Sequence, residues 1–60
     1  MKGTLIKDGY KLEQHEVTHE LMIFKDGKCI HRIKTSRPLK EREAIDVFDF
    51  IRDTDAWKEN

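Results

Sequence analysis

The 60-residue chain has one cysteine, one proline, three glycines and five aromatic residues, and each scarcity excludes something. With Cys29 alone, no internal disulfide can form. Small secreted domains usually depend on such staples, so the lone thiol points to a reducing compartment. No hydrophobic run exceeds four residues, Leu21-Met22-Ile23-Phe24, whereas a membrane-spanning helix needs ~20. No membrane partner is expected. The opening Met1-Lys2-Gly3-Thr4-Leu5-Ile6-Lys7 lacks the ~7–15 apolar residues of a secretion signal, and the expected location is cytoplasmic. Gly3, Gly9 and Gly27 stand apart, so no glycine-rich phosphate cradle exists. Neither sign of charge is in excess. Twelve basic and twelve acidic residues cancel, which removes the simplest case for nucleic acid, a strongly basic domain, though not a local basic patch.

What the chain does have is charge. Charged residues make up 40% of it, against about 25% in an average globular protein. Leu, Ile, Val and Phe still supply 25%, above the ~20% below which disorder prevails. The expectation is a small folded domain with a thin core. A chain of ~60 residues buries only about 60% of its unfolded surface, so self-association is a natural further source of burial.

An internal repeat sets the architecture. Leu5-Ile6-Lys7-Asp8-Gly9-Tyr10-Lys11-Leu12 is echoed by Ile23-Phe24-Lys25-Asp26-Gly27-Lys28-Cys29-Ile30. Asp-Gly between alternating apolar residues is the strongest short-range hairpin signal, because a type I′ turn needs positive φ at both central positions. Two hairpins follow, with strands near residues 3–7, 10–16, 18–25 and 28–35. The link around Gln14-His15-Glu16 has no Gly or Pro and reads as a bend or bulge. After residue 35 the period changes. Pro38 suits a helix start, where its missing N–H is no loss. From Glu41 to Asp53, Ala44, Val47, Phe48 and Ile51 fall on one helical face with Ile45 at its edge. The predicted fold is α+β: an antiparallel three- to four-stranded meander, built from two Asp-Gly hairpins, followed by one C-terminal amphipathic helix packed on one sheet face. It forms a single domain over residues 1–54, with a frayed tail over 55–60.

A two-residue turn at Asp26-Gly27 predicts the pairs Phe24–Cys29, Met22–His31 and Glu20–Ile33. One sheet face then carries Met22, Phe24, Cys29, His31 and Ile33. The other carries Val17, Leu21, Ile23 and Ile30 among His19, Lys25, Lys28, Arg32 and Lys34. Both faces hold apolar groups and one helix covers one of them. The second cover is either the N-terminal hairpin curling over or another copy of the chain, and a homodimer is the expected arrangement. On the helix, Phe50 points away from the core stripe. Trp57 falls on nearly the same side, and Asp46, Asp49 and Asp53 flank the strip. Aromatics set among charges have the composition of a contact surface. Trp57 folding back over the sheet edge is the competing arrangement.

Site chemistry finds little footing. His15, His19, His31 and Cys29 match no zinc spacing, and no metal or cofactor is expected. Cys29 and His31 lie two apart on one strand, but a mid-strand nucleophile has no cleft, and Cys29 reads as a small buried hydrophobe. Asp46, Asp49 and Asp53 lie on a convex helix face and cannot flank a substrate as paired catalytic carboxylates must. The protein is expected not to be an enzyme. Lys25, Lys28, Arg32 and Lys34 form a candidate basic stripe along one hairpin, which makes nucleic-acid binding the alternative. Lysines that block unwanted strand pairing explain the same residues, and the helix end is acidic. The order of hairpin, basic strand end, proline and amphipathic helix is similar in architecture to small sheet-plus-helix DNA-binding domains of phage integrases, whose aromatic and arginine contact positions are not evident here. The expected function is that of a small interaction protein of adaptor, inhibitor or accessory type. Size alone suggests an accessory protein of a mobile genetic element. It would bind a protein partner through a sheet face and the strip of Asp46, Asp49, Phe50, Asp53 and Trp57.

Overall fold

A computed structural model describes residues 3–54. The strands are β1 (Thr4–Lys7), β2 (Tyr10–Gln14), β3 (Leu21–Lys25) and β4 (Lys28–Ile33), and the helix is α1 (Glu41–Thr54). The strands form one open antiparallel sheet in the order β1-β2-β3-β4. The fold is therefore α+β, a four-stranded meander followed by a helix.

Both Asp-Gly pairs sit at two-residue turns, with Lys7 opposite Tyr10 and Lys25 opposite Lys28. Asp8 and Gly9 have φ of 52° and 82°, and Asp26 and Gly27 have 52° and 79°. Positive φ at both central positions is the I′ geometry, whose twist matches that of the flanking strands. The link from β2 to β3 closes differently. The His19 N–H donates to the His15 carbonyl at 2.9 Å, and His19 adopts φ 64°. The His15 ring caps this turn, its Nδ1 accepting from the Val17 and Thr18 N–H groups at 3.1 and 3.2 Å.

The β3–β4 register departs from the expected one. Phe24 faces Cys29, but the next pairs are Ile23–His31, Met22–Arg32 and Leu21–Ile33, so Ile30 is the extra residue of a β-bulge. A one-residue slip exchanges the faces of everything beyond it. His31 and Ile33 therefore join Leu21 and Ile23, while Arg32 joins Met22. Ile30 itself packs toward the core of Leu12, Ile23, Phe48 and Ile51.

Residues Ala44, Phe48 and Ile51 of α1 are buried and Val47 is half-buried, as the helical period predicts. Phe48 packs on the Tyr10 ring at 5.1 Å between centroids. The helix begins three residues after Pro38, which is not its first residue. Lys40 is the N-cap residue, since its carbonyl accepts from the Ala44 N–H at 2.9 Å. Glu43 reaches back to the Lys40 N–H at 2.9 Å, which is half of a capping box. Leu39 packs with Ala44 and Leu21 in the manner of a hydrophobic staple. One polar side chain anchors this linker to the sheet: Gln14 Oε1 accepts from the Leu39 N–H at 2.8 Å, and its Nε2 donates to the His19 carbonyl at 2.9 Å and to Thr35 Oγ1 at 2.7 Å.

Candidate functional site

The helix covers the sheet face that carries Leu5, Tyr10, Leu12, Leu21, Ile23 and Ile33. Alternation along the strands fixes what remains on the other face. The pairing places Ile6, Lys11, Phe24 and Cys29 in one row across the sheet, and Thr4, Glu13, Met22 and Arg32 in the next. No described residue is stacked over these two rows as α1 is over the opposite face. Ile6 is 78% exposed, Cys29 is exposed, and Met22 and Phe24 are half-buried. The Lys11 ammonium sits over the Phe24 ring, 4.9 Å from its centroid, and the Thr4 hydroxyl donates to Glu13 at 3.3 Å.

The acidic strip of α1 divides. Asp46 and Asp53 are exposed, and Phe50 between them is 68% exposed. Asp49 instead turns to the β1 edge, where it takes Lys7 Nζ at 2.9 and 3.0 Å and Arg52 Nη2 at 3.2 Å. Arg52 also pairs with Asp8 in the first hairpin turn and lies over the Phe48 ring. This network ties the last turns of α1 to the first hairpin. Trp57 lies outside the described residues.

The basic stripe divides as well. Lys25 and Lys28 are cross-strand partners on the helix side of the sheet, and the Lys25 ammonium stands 4.4 Å from the Tyr10 ring centroid. Arg32 is on the open face and Lys34 follows the end of β4. The four do not share a face, because the bulge at Ile30 changes the parity of β4.

Cys29 and His31 are separated in the same way, the thiol on the open face and the imidazole on the helix side. The thiol donates to the His31 carbonyl at 3.6 Å and is exposed, not buried as expected. Among the described residues no group of three or more His, Cys, Asp or Glu side chains is placed to hold a metal ion. Among them, too, no helix is long and apolar enough to cross a membrane.

The two-row pattern of the open face is the feature that sequence reasoning missed. The repeat and alternation signalled an uncovered face, but the bulge decided its members. No protein-family model, curated protein or solved structure matches the chain.

Proposed function

We propose that this is a small non-enzymatic interaction protein, of adaptor, inhibitor or accessory type, that docks onto another protein. The observation that carries the reading is the open sheet face, where Ile6, Met22 and Phe24 lie with no helix over them among the described residues. Exposed single apolar residues are ordinary, but here Ile6, Met22 and Phe24 share one sheet face with Lys11 and Glu13 of β2 between them, a mixed apolar and charged surface of the kind that protein contacts use. Phe50, exposed on the helix, supports the same reading, and Val17 is exposed in the β2–β3 turn.

Calorimetry on proteins purified from the source cells tests this. The native chain, F24S on the open face and V17S in the β2–β3 turn are each used as bait. The recovered protein is then purified and titrated with all three. One partner, or the chain itself, is expected to bind the native chain and V17S with a negative heat-capacity change, and to be lost with F24S. Binding unaffected by F24S overturns the reading. So does binding to nucleic acid that weakens steeply with salt and is lost when Lys25 and Lys28 are replaced.

A further inference from the structure

The open face has a charge pattern that suits one particular occupant. Across the four strands the first row reads Ile6, Lys11, Phe24, Cys29 and the second Thr4, Glu13, Met22, Arg32. Lys11 and Glu13 are neighbours on this face of β2, one in each row, with Leu12 between them turned to the other side, and Phe24 and Met22 are neighbours in the same way on β3. A rotation of 180° about an axis crossing the strands between the rows exchanges one row for the other and leaves each strand over its own copy. Lys11 then stands over Glu13 of a second molecule, and Glu13 over its Lys11. Phe24 and Met22 face each other in the same reciprocal way, a sulfur–aromatic contact. On the two central strands the face is thus self-complementary, as an isologous interface requires, while on the edge strands Ile6 meets Thr4 and Arg32 meets Cys29 of the other copy, where the guanidinium stays at the rim.

The alternative two-fold axis, parallel to the strands between β2 and β3, lacks this property. It sets Lys11 against Phe24 and Glu13 against Met22 of the other copy, which leaves the Glu13 carboxylate desolvated against a thioether. A foreign partner needs a matching pattern of its own, whereas a second copy supplies one automatically.

We infer that the open sheet face is covered by the same face of a second copy of this chain, related by a two-fold axis that crosses the strands, with Lys11 opposite Glu13 at two symmetry-related places. This rests on the docking reading above and names the partner. Four strands at ~4.8 Å spacing make a face about 19 Å wide. That is a small interface, so the dimer is reversible and dilution dissociates it.

Sedimentation equilibrium of the full chain, with variants checked for folding by circular dichroism, tests the inference. K11E and E13K, each alone, place like charges opposite each other and are expected to weaken the dimer about tenfold or more. Mixing K11E with E13K is expected to restore association as a heterodimer, because the acidic face of one variant meets the basic face of the other. K28E mixed with D46K, the same charge changes away from this face, is expected to leave association unchanged. The neutral variants K11Q and E13Q give the same loss in milder form if charge reversal prevents folding.

A chain that remains monomeric at millimolar concentration overturns the inference. So does a dimer indifferent to K11E and E13K, a mixture that restores nothing, or a dimer lost with F50S. If the chain is monomeric yet a different protein binds it and is lost with F24S, the inference fails and the docking reading stands. If F24S changes no binding of any kind, both fail.

Discussion

Gln14 holds together three segments that are distant in sequence. Its carbonyl oxygen accepts from the Leu39 N–H, and its amide nitrogen reaches the His19 and Arg37 carbonyls and the Thr35 hydroxyl. Removing this side chain takes from the part-buried Leu39 N–H its partner at 2.8 Å, while the His19 and Arg37 carbonyls still accept from the Thr35 hydroxyl. Gln14→Ala is therefore expected to cost about 1–3 kcal/mol in urea unfolding. Gln14→Glu is expected to be no better, since a carboxylate has no hydrogen to donate to the acceptors around Nε2; a fully stable Glu variant would refute the assignment. Glu43 works at the other end of the linker. The Arg37 guanidinium, and then the Lys40 N–H, hold its carboxyl down to about 2 from the ordinary 4.5. A carboxylate with a depressed folded-state pKa contributes stability that is fully present above 4.5 and is lost as pH falls toward 2. Denaturation midpoints of the native chain should fall across that window more steeply than those of Glu43→Gln. Parallel pH profiles for the two proteins would contradict the capping role.

At the scale of elements, the hairpins were legible because their chemistry is local. Asp8-Gly9 and Asp26-Gly27 each supply the two positive φ values that a two-residue turn demands. Gly27 at φ 79° has open space where a Cβ would stand, so its requirement is conformational alone. Gly27→Ala is expected to cost roughly 1–2 kcal/mol from the left-handed backbone, and Asp26→Asn to be nearly neutral, since Asn tolerates that region. Gly9→Ala adds a contact of 3.3 Å with Lys25 Nζ, the end of a flexible side chain, so only a small increment over Gly27→Ala is expected. Thermal unfolding of the three variants checks the ranking. The helix was legible from the spacing of Ala44, Phe48 and Ile51, but its start was not. Lys40 is a poor N-cap type, and the cap is made by Glu43 and Gln14, the latter 25 residues from Leu39. The bulge at Ile30 left no mark in the residue pattern either. A single added residue in β4 carries no local sequence signature, and with the bulge in place both Ile30 and Ile33 pack against the core of Leu12, Ile23, Phe48 and Ile51. Because of that one residue, the predicted partnership of Lys25 and Lys28 with Arg32, and of Cys29 with His31, divided across the sheet.

Among the described residues three large apolar side chains are exposed: Ile6 on the open sheet face, Val17 in the β2–β3 turn and Phe50 on the helix. Pairing two copies through their sheets stacks four layers, helix-sheet-sheet-helix, and leaves both Phe50 side chains, with Asp46 and Asp53 beside them, outside the shared face. A partner that reads this strip would be bound twice per dimer and bridged, with the avidity that two linked sites confer. Size makes this arrangement measurable without knowledge of that partner. The single chain has a Cα radius of gyration of 10.7 Å, and compact scaling places a two-copy globule at about 14 Å. Small-angle scattering over a dilution series should move between these limits for the native chain, and for K11E the same rise should need about tenfold or more higher concentration. F50S should follow the native curve at every concentration, because Phe50 is remote from the shared face and a surface change of this kind shifts stability by about 0.5 kcal/mol or less. A native chain whose radius stays near the lower limit throughout would remove the dimer and the bridging arrangement with it, whereas an F50S chain that follows K11E would bring the helix into the shared contact.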